Sequence, residues 1–340
     1  MIFVTIFVIA ITLSLYINIA VIKISIDKKI FDYALEERKL HISPTPNLGG
    51  IGIFFSFLLM LTFFEKNYLN TISVNYIISS SVILFLMGLK DDLINIPAFN
   101  KLFFQILAAF IVAYFANIRI TNLNGFFMVY EIPYFFSILI TIFFILLVCN
   151  SINLIDGIDG LAASQASIAS IIFLIIFYYT DQSELILFTI IFLGSIIGFL
   201  ILNFGKAKIF MGDTGSYLLG FILSIITIIA LDKSKLFYND DSQIAMIFSI
   251  FIIPFFDTFR ILILRLIKKK SPFAADSNHL HHLLLKKKLN HTHITLILGS
   301  LAIIIFILNY FLQTLGNYIL LSIDIIIMLI FVYVVKNIKS

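Results

Sequence analysis

N-S-I-N-L-I-D-G-I-D-G-L, Asn150 to Leu161, is the stretch whose reading decides this chain. It follows an apolar run, Ile132 to Cys149, and leads into another, Ala162 to Tyr179. Two carboxylates, two carboxamides and two glycines therefore sit at the mouth of a membrane span. Asn150, Asn153, Asp156 and Asp159 recur at every third position, a spacing that places neighbours on one drifting helix face. Gly157 and Gly160 each follow an acid and let the backbone bend and approach a ligand. Polar groups beside lipid are expensive and are functional by default; the plainer alternative is a solvated loop, since D-G is a common turn pair.

Working outward, the whole chain is apolar. Of 340 residues, 61% are hydrophobic and only 12% charged, against about a quarter charged in a soluble domain. Many runs are long enough to cross a hydrocarbon layer about 30 Å thick. The fold expected is all-α, a polytopic helical membrane bundle. Met1–Ile22 lacks a basic leader and a small-residue cleavage site, so it reads as a retained span. The one cysteine, Cys149, rules out an intrachain disulfide and reads as a small core residue. Tryptophan is absent, so interfacial aromatics must be Tyr and Phe. A net charge of +4 does not point to nucleic acid.

Eleven apolar segments are expected as spans: 1–22, 48–64, 72–89, 102–117, 132–149, 162–180, 185–202, 215–231, 244–264, 294–313 and 316–335. Eleven crossings put the termini on opposite sides. The loops 23–47, 90–101, 150–161, 203–214 and 265–293, with Arg260 and the tail, hold nineteen of the 23 Lys and Arg. The other side keeps Lys66, Arg119, Lys233 and Lys235. Basic residues mark the cytoplasmic side, so the N-terminus is expected outside and the C-terminus inside. The loops are too short for a separate soluble domain, so residues 1–340 read as a single transmembrane unit.

The same five cytoplasmic loops carry the chemistry. In the first, Arg38, Lys39 and His41 suit either an anionic ligand or a basic membrane anchor, and Gly49-Gly50 opens a helix whose free N–H groups favour phosphate. In the second, G-L-K-D-D-L places Asp91 beside Asp92, with Lys101 at the loop's end. Adjacent carboxylates repel unless a cation binds, and Mg²⁺ is the usual partner where a phosphate is also present; alone, the pair also fits a polar helix end. The fourth, N-F-G-K-A-K-I-F-M-G-D-T-G-S, contains Asn203, Phe210 and Asp213. Phe210 offers a stacking face, although on its own a Phe dipping into lipid is the simpler reading. The fifth holds His279, His281 and His282 after Asp276. Zinc is disfavoured there, for no cysteine is near and the acids suit a hard metal; binding of sugar or phosphate oxygen fits better. The outer loops hold no such cluster, and Asp232, Asp240 and Asp241 read as solvated.

Carboxylates, a hard divalent cation and basic side chains at one membrane face suit phosphoryl transfer, where catalysis is positioning and charge neutralisation. A site at the bilayer surface implies one substrate in the lipid and one in the cytosol. Five ordered motifs carry a resemblance that spans almost the whole chain: R-K-L-H with P-x-P-x-x-G-G, then G-L-K-D-D-L, N-S-I-N-L-I-D-G-I-D-G-L-A, N-F-x-x-A-K-I-F-M-G-D-T-G-S, and S-P-F-A-A-D-S-N-H-L-H-H. The chain resembles the bacterial polyprenyl-phosphate N-acetylhexosamine-1-phosphate transferases, the WecA/TagO branch of the MraY-like glycosyltransferase 4 superfamily.

That resemblance implies attack of undecaprenyl phosphate on the β-phosphorus of a UDP-N-acetylhexosamine, most often UDP-GlcNAc, giving UMP and the lipid-diphosphate sugar that starts a cell-envelope glycan such as teichoic acid or lipopolysaccharide. It implies Mg²⁺, with Mn²⁺ as the alternative, held by Asp213 with Asp156. Asp91, Asp92, Asp156 and Asp159 become the catalytic candidates. Lys101, Asn150, Asn153, Asn203, Phe210, His279, His281 and His282 become substrate contacts, with Phe210 stacked on uracil. The partners implied are the lipid phosphate, the UDP-sugar and the bilayer of the bacterial inner membrane, with a homodimer as a candidate assembly. Asn47 and Lys206 depart from the family pattern, which has a basic residue and a proline there. The rival within the class is a phospho-MurNAc-pentapeptide transferase, disfavoured by the broken His motif. The rival outside it is a secondary transporter, disfavoured because its acids belong near the midplane of broken helices.

Overall fold

A computed structural model describes residues 2–30, 45–68, 73–233, 237, 239–269 and 278–337. Arg38, Lys39, His41 and Asp276 lie outside the described residues. The chain is all-helical: among the described residues there is no strand, and one isolated antiparallel bridge joins Asn122 to Glu131.

The helices are α1 (Ile2–Lys28), α2 (Gly50–Tyr68), α3 (Val74–Leu93), α4 (Ala98–Phe110, running on through a π-helical turn to Phe115), α5 (Tyr134–Ile155), α6 (Leu161–Tyr179), α7 (Ser183–Asn203), α8 (Gly212–Lys233), α9 (Gln243–Ile250), α10 (Ile252–Ile267), α11 (Leu280–Leu285), α12 (His291–Leu312) and α13 (Gly316–Asn337). Among the described residues, eight helical stretches suffice by length and composition to cross a membrane, and nine if one bent pair counts as a span. One of the eight, His291–Asn337, holds both α12 and α13. Each of the eleven apolar segments falls on helix. The segment 244–264, expected as one span, breaks at Phe251 into α9 and α10, bent by 85°. Pro254 supplies the reason. It has no N–H to give to the carbonyl four residues earlier, but it is tolerated in the first turn of a new helix.

Inside a membrane the hydrophobic effect does not press helix against helix, so close packing of small residues and interhelical hydrogen bonds take over. The contact of α1 with α7 is built that way. Gly194 and Gly198 form a G-x-x-x-G face against Ala10 and Ser14. A Cβ on Gly198 would come within 2.5 Å of the Ile11 carbonyl oxygen and 2.6 Å of the Ser14 Cβ. Hydroxyls close the seam: Ser14 donates to the Ser195 carbonyl (2.7 Å), Ser195 to Ser56 Oγ (3.1 Å), and Ser56 to the Ala10 carbonyl (2.8 Å).

The centre of the bundle is α8. It is buried almost without a break from Thr214 to Ile228, whereas Gly212 and Asp213 in its first turn are half-buried. A Cβ on Gly220 would sit 2.5 Å from Cys149 Cα on α5, and one on Gly88 of α3 would sit 2.5 Å from Thr214 Cα. The segment before α2 pairs with the segment before α8. Phe210 N–H donates to Pro46 (2.7 Å), Gly49 N–H to Phe210 (2.8 Å) and Gly50 N–H to Met211 (2.9 Å). The backbone polar groups of these two irregular segments thus pair with each other.

Candidate active site

At one end of the bundle α3 and α5 end, and α4 and α8 begin, around Asp213. Its Oδ2 accepts from Lys101 Nζ (2.8 Å) and its Oδ1 from Asn153 Nδ2 (2.8 Å). Asn153 also donates to Ser216 Oγ (2.9 Å). Lys101, in the first turn of α4, bridges to Asp91 Oδ2 at 2.5 Å. The other Asp91 oxygen takes the Ile96 N–H at 2.8 Å, which closes the turn between α3 and α4.

Asp92, the next residue, has a different task. Its carboxylate accepts the N–H groups of Asp213 (2.7 Å) and Thr214 (3.0 Å) and the Thr214 hydroxyl. It therefore caps α8 from another helix, satisfying donors that a helix start leaves free. Gly212 sits at φ +74°, with the Asn47 carbonyl and Asp92 against its α-carbon. A side chain there would be strained in backbone and would strike both.

Asp156 follows the last residue of α5 and is half-buried. Among the described residues no hydrogen bond reaches its carboxylate. Burial, then the charges of Asp213, Asp92 and Asp159, push its carboxyl up to about 8. An acid in that state favours a proton or a cation. No three of His, Cys, Asp and Glu among the described residues form a ready metal-holding group. The acids here that can hold a hard cation are Asp156 and Asp213, completed by oxygens from a ligand and water.

The remaining sequence-predicted residues lie around this centre in two groups. Asp159 is buried and turned toward α12: its Oδ2 is 3.2 Å from His291 Nδ1 and accepts the Ala207 N–H at 3.2 Å. Asn203 uses both sides of its amide, accepting from Gly160 N–H (2.8 Å) and donating to the Ile209 carbonyl (2.8 Å). It thus ties the D-G-I-D-G turn to the segment carrying Phe210, whose backbone holds Pro46 and Gly49. Asn150 donates to Gln105 Oε1 at 2.9 Å and to the Leu146 carbonyl at 2.7 Å.

The second group is histidine. His279 and His281 are buried, their rings 5.7 Å apart and nearly parallel, with His282 4.3 Å from His281. His281 lies against Gly157, whose missing side chain makes the room. Burial, then the neighbouring His282, holds His281 down to about 3, so its ring is neutral at ordinary pH. His279 Nδ1 meets Asp257 Oδ2 at 2.9 Å.

Asp257, Gln105 and His291 escaped the reading of motifs. The first two had a visible signal, since a carboxylate and a carboxamide inside apolar runs are exceptions that call for a partner. His291 begins α12 and shows no sequence feature that points to Asp159.

The model of the glycosyl transferase family 4 matches residues 74–231, which hold Asp91, Asp92, Lys101, Asp156, Asp159 and Asp213. An undecaprenyl-phosphate alpha-N-acetylglucosaminyl 1-phosphate transferase of Thermotoga maritima is 30% identical over 258 residues, covering 74% of this chain and 72% of that protein. This chain belongs to that transferase family. Similarity of the same extent is found to an enzyme of the same name in Salmonella typhi, 27% identical over 73% of this chain and 67% of that one. A decaprenyl-phosphate N-acetylglucosaminephosphotransferase of Mycobacterium leprae is 27% identical over 77% of this chain and 72% of its own length. In this transferase family member, the matched region is the part of the fold that assembles the acids and Lys101 around the start of α8.

Proposed function

We propose that this chain transfers an N-acetylhexosamine-1-phosphate, GlcNAc-1-phosphate first, from its UDP-sugar to undecaprenyl phosphate. The observation that carries the reading is the meeting of Asp213, Lys101, Asn153 and Asp91 with Asp156, whose carboxylate meets no donor among the described residues, at one end of the bundle. The names of its relatives supply the acceptor and the sugar. The unit is one transmembrane catalytic domain in the bacterial cytoplasmic membrane. It crosses eleven times, with α9 and α10 as one bent crossing, the N-terminus outside and the site on the cytoplasmic face. The placement of nineteen basic residues on that side supports this orientation.

Mg²⁺ fits the residues present. Asp156 and Asp213 are hard oxygen donors in a site with excess negative charge, and Mg²⁺ is commonly held by one or two carboxylates plus phosphate oxygens and water. When bound, it would neutralise charge on the diphosphate oxygens. The protein's own groups do the rest. Lys101, already between two acids, supplies the positive charge that meets a phosphate. Asn153 and Ser216 fix the Asp213 carboxylate. Asp92 holds the α8 N-terminus in place rather than moving a proton. The acceptor is itself a phosphate anion, so its oxygen attacks the β-phosphorus directly. A new P–O bond forms, the bond to the α-phosphate oxygen breaks, and UMP leaves with that bond's electron pair.

The test is a membrane assay with undecaprenyl phosphate and sugar-labelled UDP-GlcNAc, with and without EDTA. Metal-dependent movement of label into lipid, with UMP release, is expected. Transfer with a 6-deoxy UDP-amino sugar alone would move the specificity. Failure with every UDP-amino sugar would reject the proposal.

A further inference from the structure

Asp257 lies inside the bent α9–α10 pair, is 1% exposed, and belongs to no loop that carries the proposed chemistry. Its two oxygens are used unequally. Oδ1 accepts twice, from Arg260 Nη2 at 2.6 Å and from the Leu280 N–H at 3.0 Å. Among the described residues Oδ2 meets one group, Nδ1 of His279, at 2.9 Å. Arg260 also donates to the Asn278 carbonyl, so the start of the His segment is held at both its backbone and its ring. Thr258, next in sequence, bonds Ser151 on α5 at 3.1 Å, which ties this part of α10 to the helix that ends at Asp156.

We infer that Asp257 is a positioning residue for the proposed transfer, setting the His279 ring so that Nδ1 carries a proton and Nε2 faces the ligand. A carboxylate can only accept, so the nitrogen facing it must be a donor. Among the described residues no partner meets Nε2. In the neutral ring that nitrogen is an acceptor, suited to a hydroxyl or amide hydrogen of a bound amino sugar. This use of it rests on the transferase reading above. The same arrangement, an acid fixing the tautomer of an imidazole that works through its other nitrogen, recurs in hydrolases and around metal-bound histidines.

The unequal use of the oxygens makes the inference testable with one atom. In Asp257→Asn, Arg260 and the Leu280 N–H still demand an oxygen at the Oδ1 position. The new NH₂ must then take the Oδ2 position and point at His279. Nδ1 has to accept, and the proton moves to Nε2. The volume is unchanged, so packing is preserved.

The experiment uses the full-length protein in detergent, with ¹⁵N-labelled histidine. The His279 signals are assigned by their loss in His279→Asn, and donor and acceptor kinetics are measured on the same samples. The wild type is expected to show the His279 proton on Nδ1, and Asp257→Asn on Nε2. The variant's KM for the UDP-sugar should rise, or its kcat/KM for that substrate fall, on the order of tenfold to a hundredfold, as for other residues that orient a working imidazole. Its KM for undecaprenyl phosphate should stay put, a split that a general loss of structure does not produce. A wild-type spectrum with the proton on Nε2 overturns the inference, even if the variant fails to fold. So does a variant whose tautomer or donor kinetics do not change. A wild type without transfer to any UDP-amino sugar rejects the transferase reading and, with it, the role in transfer, while the spectrum still decides the tautomer.

Discussion

Replacing Asp92 by alanine should unseat the N-terminus of α8. The carboxylate accepts two backbone N–H groups, at 2.7 and 3.0 Å, and one hydroxyl. Burial pushes the Asp92 carboxyl up to about 7, so its hydrogen bonds fall between neutral ones, about 0.5–1.5 kcal/mol each, and charge-assisted ones, about 1.5–3 kcal/mol, and donors left buried without a partner add to the loss. A lost helix cap alone costs about 1 kcal/mol. Against this, removing a negative charge beside Asp213 and Asp156 relieves repulsion and returns part of the sum. A net loss of about 2–4 kcal/mol is the expected balance. Asp91→Ala is the comparison. It also removes one acid and its 2.5 Å bridge to Lys101, but Lys101 keeps Asp213 at 2.8 Å, so about 1–2 kcal/mol is expected from the freed Ile96 N–H and the partly lost pairing of Lys101. The assay is built into the chain: Cys149 is its one cysteine and is 1% exposed, so a thiol-reactive fluorophore reports unfolding. At roughly 2–4 °C per kcal/mol, Asp92→Ala should melt several degrees below Asp91→Ala. Equal melting points, or Asp91→Ala melting lower, would refute the capping role.

Asp213→Asn should abolish transfer while the thiol-probed melting point stays within a few degrees of wild type, because Lys101 keeps its bond to Asp91; near-wild-type turnover would reject Asp213 as the metal-facing acid. Gly198→Leu should prevent stable assembly of α1 on α7, since even a Cβ would lie 2.5 Å from a backbone oxygen; the loss of monodisperse protein on gel filtration checks it. His281 is held to about 3 when folded, below its ordinary 6.5. Its stabilising contribution is therefore present above about pH 6.5 and lost as pH falls toward 3. Between pH 7 and 5 this amounts to roughly 2 kcal/mol, and His281→Asn should lose that part of the acid sensitivity in a melting series.

Much of the frame was legible because the signals were strong. An apolar run long enough to cross a bilayer has few folded alternatives, and every such run fell on helix. That distant loops supply one site was readable from charge and from polar residues at span ends. The division of labour within the site was not. Asp91 and Asp92 are neighbours, and adjacent helix residues do not share a face; which one meets Lys101 and which caps α8 depends on how two other helices dock. Asn203 likewise reads as a ligand contact, whereas both ends of its amide are used to join two loops. The break at Phe251 hid inside a uniformly apolar run, with Pro254 as its one mark. Asp257 was the missed opportunity, since an acid three residues before Arg260 inside such a run demands a partner, although nothing local says that the partner is His279.

The most direct measurement uses UDP-GlcNAc labelled with ³²P in the β-phosphate, with undecaprenyl phosphate and purified protein in lipid vesicles. The account predicts that the label moves into the lipid fraction and that unlabelled UMP appears in equal amount. Label left in released UDP, with sugar alone on the lipid, would contradict transfer of a sugar phosphate, and label carried intact across the vesicle membrane would make the protein a transporter.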